Sequence, residues 1–229
     1  MPYARGILNP LVCHALDAAH AKVFGLEPNV GAVLEFHCVP GCAPTLDELR
    51  RRYDEITRVQ APLFFVPSEA SVLGRMVFPL RHAKADYLVE NYVGTIALCG
   101  LVAEMATLLT WEIAEPAQRV PLLRNGIAVD FEKLGQRERI GHLENREVID
   151  EATAAKYRDI LGVRRQFVHF WEHKAGTSPR ASALRCFGLA VQLVSDLIGQ
   201  GIDEGKWVPN PRLVDFLKRN NLWTDNPAE

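Results

Sequence analysis

The sequence predicts a mainly α-helical protein: a helical bundle of about four main helices with a small mixed N-terminal extension. Three observations predict it. Apolar residues recur at helical spacing through most of the chain after residue 67, and Ser, Thr, Asp and Pro stand where such segments begin. In addition, Gly94, Gly100 and Gly162 form no phosphate-binding fingerprint, because none joins a strand to a helix; their expected role is close helix packing. At 229 residues, with 48% hydrophobic and 24% charged, the chain can bury a large core and is sized for one domain plus an extension. The division falls at residue 67, with 1–67 as the extension and 68–229 as the bundle.

In the extension, residues Ala32 to Val39 are a short apolar run that reads as a strand, followed by the turn-rich Pro40, Gly41 and Pro44. Thr45 and Glu48 have capping-box spacing, so a helix is expected from there to about Val59, with Leu63 to Val66 as a second strand in a β-α-β-like unit. Beyond Ser68, a candidate cap, Pro79 is expected to kink a periodic segment or start a new helix. A long helix then runs through Tyr87, Tyr92, Ile96 and Leu101 to about Ile113 and is ended by Pro116. Pro121, Asn125 and Gly126 keep the next segment short. Asp130 is placed to cap a charged helix to about His142, and Asp150 opens another that reaches roughly Trp171. Ser178 with Pro179 starts an apolar helix that stops by Gly199, and a last short helix covers Pro211 to Arg219.

A formal net charge of -2 offers no bulk attraction to phosphate backbones, so nucleic-acid binding must rest on a local surface. From Pro116 to Ala190 there are 13 lysines and arginines against 9 acids, which permits such a surface. Five scattered cysteines argue against a disulfide framework and for a reducing compartment, and the start lacks the pattern of a secretory signal. The expected location is cytoplasmic. Val93 to Ala114 has spanning length, but its threonines and glutamates mark a buried core helix instead of a membrane segment.

The most informative residue is Arg164. With Ile160 at zero and about 100° per residue, Phe167 falls at about -20°, Trp171 at about +20° and Tyr157 at about +60°. Arg164 falls at about +40°, inside this apolar stripe, while Arg165 turns about 100° further toward solvent. A guanidinium stays charged, so its burial demands an acidic or carbonyl partner. Glu104, the lone acid in the middle of the other long apolar helix, is the expected partner. The pair either sets bundle register or fixes the guanidinium for work at a cleft. His169 lies five residues on, at about 180° of the same wheel, and points away unless the helix end departs from straight α geometry.

The run Leu161-Gly-Val-Arg-Arg-Gln-Phe-Val-His169 resembles the R-x4-6-H signature of the HEPN superfamily, at the minimum spacing of four. The resemblance extends from Pro79 to about Gly199, and Glu104 looks like a match for the family's recurring acid. Directly after the arginine, where many active members carry Asn, Asp or His, stands Arg165. The resemblance implies an all-α bundle that pairs as a homodimer, so that two motifs face one cleft. It also implies metal-independent RNA cleavage of toxin or defence type, without a cofactor and under an antitoxin or regulatory partner. His169 would serve as general base or acid and Arg164 would hold phosphorane oxygens, with Glu104 and Arg165 in support. The alternative is a non-catalytic helical interaction module or dimerisation domain.

Two other groups carry chemistry. His37, Cys38 and Cys42, with Cys13 and His14 upstream, offer part of a zinc site but no second close pair, so no metal is expected. Arg50, Arg51 and Arg52 form a basic triplet that reads as a solvated helix face able to touch RNA phosphates.

Overall fold

A computed structural model of the chain describes residues 13–15, 45–59, 65–67, 71–114, 121–124, 127–169, 177–199, 201–203, 206–208 and 210–221. Among them are seven α-helices, more than the four main helices expected, and three two-stranded antiparallel pairs. In order, these are β1 (Cys13–Ala15), α1 (Leu46–Val59), β2 (Phe65–Pro67), α2 (Ser71–Leu88), α3 (Tyr92–Ile113), β3 (Leu122–Arg124), β4 (Ile127–Val129), α4 (Gln136–Asn145), α5 (Glu151–Arg164), α6 (Pro179–Ile198), β5 (Gly201–Asp203), β6 (Lys206–Val208) and α7 (Pro211–Arg219).

Local chemistry accounts for most of the boundaries. At the start of α1 the Thr45 amide donates to the Glu48 carboxylate at 2.9 Å, and the Glu48 amide donates back to the Thr45 hydroxyl at 3.3 Å, the reciprocal bonds of a capping box. The Asp150 side chain accepts from Thr153 N at the start of α5, and Ser178 does the same for Ala181 N before Pro179 opens α6. Gly199 ends α6 with φ 66°, a left-handed conformation that glycine adopts at little cost. Strand β2 pairs with β1, with Cys13 opposite Pro67; the expected strand at residues 32–39 lies outside the described residues, as does the Ser68 cap.

Three boundaries differ from expectation. Helix α2 runs through Pro79, and the break comes at residues 89–91, where Glu90 is left-handed (φ 65°) and the Asn91 side chain caps α3 by accepting from Gly94 N at 3.0 Å. A mid-helix proline costs about 3 kcal/mol. Here Met76, Val77 and Leu80 on either side of it are buried, and their packing holds the helix together. Asp130 caps no long helix: it precedes a single 3-10 turn, Phe131–Lys133, and α4 starts only after Gly135. Strands β3 and β4 form a hairpin whose register leaves Asn125-Gly126 as the connecting pair, a dipeptide favoured in two-residue hairpin loops.

The core lies between α2, α3, α5 and α6. Ile96, Val102 and Ala106 of α3 are fully buried against Leu80 and Ala83 of α2, Ile160 of α5, and Phe187, Val191 and Val194 of α6. Helices α3 and α6 are long and apolar enough to cross a membrane by length and composition, yet they pack on each other here, with more than half of each apolar stretch buried inside the bundle. Ile56 of α1 joins the same core, and Val59 closes over Gly188 of α6. A smaller cluster surrounds Trp111 at the far end of α3, where its ring stacks on Phe131 at 4.6 Å.

Polar contacts also tie α1 to the bundle. Arg52 is buried, donating to the Leu88 carbonyl and pairing with Glu90, so one member of the basic triplet is structural while Arg50 and Arg51 are exposed. Arg180 of α6 donates to Glu55 at 2.5 Å and to the Tyr87 hydroxyl at 3.4 Å. Burial opposes ionisation of Glu55, but the hydrogen bonds from Arg180 and Tyr87 outweigh it and hold the carboxyl below its usual range. Burial pushes the Tyr87 phenol up to about 12.

Candidate functional site

The expected pair between Arg164 and Glu104 is present. Both belong to the middle of the bundle: Arg164 is the last residue of α5, Glu104 lies halfway along α3, and Arg164 Nη1 donates to Glu104 Oε1. Gly100 makes this possible. It is one helical turn before Glu104, and the Arg164 stem lies directly across it; a Cβ at Gly100 would stand 2.2 Å from Arg164 Cδ. The two side chains keep 24% and 32% of their surface, so the pair sits at a rim with access to solvent. The Arg164 Nε–H is buried without a hydrogen-bond partner, the one such side-chain atom among the described residues, at a cost of about 1–3 kcal/mol.

Helix geometry changes immediately after Arg164. Residues Arg165–His169 form a π-helical turn, with Phe167 buried, Val168 exposed and Gln166 donating to the Thr177 hydroxyl at 3.1 Å. In an α-helix, position 169 would be about 140° round from position 164. The i→i+5 repeat of a π turn instead brings the two positions into line one turn apart, and such turns recur at functional sites. The side chain of His169 lies outside the described residues. Arg165 is exposed, as its place on the wheel predicts.

The pair borders an open face of α3. With Gly94 at zero, Ala97, Leu98, Leu101, Met105 and Leu108 fall within an arc of about 100°, and Glu104 lies at its edge. None of the five is buried, and Leu101 is 41% exposed. Helix α5 flanks this face on the Gly100 side and α2 on the Gly94 side, where Asp86 lies against Gly94. Gly94 and Gly100 are therefore close-packing glycines, as expected. Gly162 is not, because a Cβ there would meet nothing within 4 Å.

Sequence reasoning missed a second charged position. Lys84 of α2 is fully buried; its Nζ donates to Thr57 Oγ1 at 2.9 Å and stands 4.4 Å from the centre of the Tyr53 ring, both on α1. The signal available was its place one helical turn from Leu80 and Leu88, on the apolar face of α2. In the same core, burial raises the Cys99 thiol well above its usual range and pushes Cys186 up to about 12; both are free thiols shielded from chemistry.

Two cavities, of about 380 and 270 Å³, lie toward the C-terminal end of α3, and neither is lined by Arg164 or Glu104. The smaller contains the buried Tyr157, whose phenol is pushed up to about 12 by burial and stands 3.4 Å from the Thr110 hydroxyl. Among the described residues, no group of three or more His, Cys, Asp or Glu is placed to hold a metal; His37, Cys38 and Cys42 lie outside them. In comparison with known proteins, this chain matches no family model, no curated protein and no solved structure.

Proposed function

We propose that this chain is a helical interaction module that pairs with a second copy of itself across the open face of α3, the Arg164–Glu104 ion pair setting the register of its bundle. The observation that carries this reading is the apolar stripe from Ala97 to Leu108. A helix that is apolar on every side is normally covered on every side, and contiguous exposed apolar surface marks interaction sites. Leu101→Arg is expected to convert a wild-type dimer to monomer in sedimentation velocity while leaving helicity unchanged. A wild-type chain that sediments as a monomer at every concentration would sink the proposal.

A second reading is favoured by the π turn, which aligns positions 164 and 169 as a straight helix does not. In it the chain is an HEPN-like, cytoplasmic, RNA-binding homodimer that cleaves RNA without a metal or cofactor, as a toxin or defence-type nuclease held by an antitoxin or regulatory partner. Arg164 binds phosphate oxygens and His169 moves the proton, with Glu104 and Arg165 in support. His169→Ala is expected to abolish RNA cleavage by the purified chain with fold and dimer intact. Equal behaviour of wild type and variant on every RNA tried would leave the interaction module standing alone.

A further inference from the structure

We propose that the outer face of α2, centred on Phe78, is a platform for single-stranded RNA, with the Phe78 ring stacking on a base and the flanking arginines meeting phosphates. This rests on the RNA-binding reading and names where on the chain the RNA lies. Helix α2 divides sharply into two faces. Met76, Val77, Leu80, Ala83 and Lys84 are buried, whereas Arg75, Phe78 and His82 are exposed and Arg81 is half-buried. A phenylalanine that is 49% exposed gains little from folding, so this position calls for a use outside the core. The Arg81 guanidinium lies 5.8 Å from the ring centre, and no acid shares the face before Asp86, two turns further on.

The placement relative to Arg164 strengthens the case. Helices α2 and α3 are joined by three residues and form an antiparallel hairpin, with Asp86 against Gly94. Eight residues back along α2 and eight forward along α3 bring Phe78 level with Val102, between Gly100 and Glu104, where Arg164 is seated. Phe78 and Arg164 therefore flank the open face of α3 at one height, separated by about one helix diameter, ~10–12 Å. A short single strand spans that distance. Its unstacked bases need an aromatic face and its backbone needs cations, and Phe78 with Arg75, Arg81, Arg164 and Arg165 supplies both. A duplex keeps its bases stacked internally and has no use for the ring.

The test is fluorescence anisotropy of the full chain with a short labelled oligouridylate, run beside Arg164→Ala. Phe78→Ala is expected to weaken binding about 5- to 100-fold, the range set by loss of one base–aromatic stack, and Phe78→Tyr to retain it. Arg81→Gln is expected to lower the salt slope by about 0.7, the loss of one phosphate contact. Because Phe78 is half in water, circular dichroism of the alanine variant should match wild type. Unchanged affinity for Phe78→Ala, with Arg164→Ala weakened, overturns the platform and leaves the RNA reading intact. No binding by wild type overturns both. A change of sedimentation coefficient on Phe78→Ala with RNA affinity unchanged also overturns the platform and makes the patch a contact between copies.

Discussion

Lys84→Ala is expected to destabilise the fold by about 2–5 kcal/mol, read as a lower urea midpoint by circular dichroism. Lys84 is fully buried, and its stem fills the space between α2 and α1, so truncation leaves a cavity of several methylenes. The ammonium's bond to Thr57 and its position over Tyr53 are lost with it, and both partners belong to α1. The loss therefore falls on the docking of α1. Lys84→Met separates the contributions. It keeps the volume and removes the charge, and exchange of a buried charged group for an apolar one of similar size is often neutral or better, so a change under about 1.5 kcal/mol is expected. If Met and Ala cost the same, the polar contacts dominate and the packing argument fails. If neither moves the midpoint, α1 does not depend on Lys84 at all.

Gly100→Ala is the second large effect, about 1–3 kcal/mol, because a methyl group would overlap Arg164 Cδ. Arg164 would have to leave its seat, and the bond to Glu104 would go with it. Gly162→Ala on α5 is the control. It meets open space within a helix, so it is expected to stabilise by about 0.5–1 kcal/mol through backbone entropy. The double variant Gly100→Ala with Arg164→Ala is expected to cost less than the two separate changes together, since each removes the same contact. If thermal melting places Gly100→Ala beside Gly162→Ala, Arg164 is not seated on the glycine and the register role proposed for the ion pair falls.

Much of the helical framework was legible because its signals are local. Thr45 with Glu48, Asp150, Ser178 with Pro179, and Gly199 act on backbone groups within four residues, so each can be read without knowing what faces it. Pro79 was misread for a related reason. The rule that a proline breaks a helix is local, but the burial that overrides it comes from α3 and α6. The true break, at Glu90 and Asn91, was present as a capping asparagine overshadowed by the apolar run on both sides.

The candidate site divides the same way. Arg164 and Glu104 stood out because a charge in an apolar stripe is an anomaly in one helix taken alone, and two anomalies of opposite sign suggest a pair. Arg52 and Lys84 gave no such contrast: Arg52 sits among equally charged neighbours, and Lys84 between Ala83 and Ala85 has the look of an ordinary helical lysine.

The amino-acid sequence by itself determined the helical class, most helix starts and stops, and the partnership of Arg164 with Glu104. Only the tertiary structure decided that Gly100 seats the arginine, that the chain winds into a π turn on its way to His169, and that Lys84 and Arg52 lie buried. The physical reason is range. Caps and periodicity are set by neighbours along the chain, whereas burial of a charge, a close approach and a change of helical pitch are set by the helix on the other side.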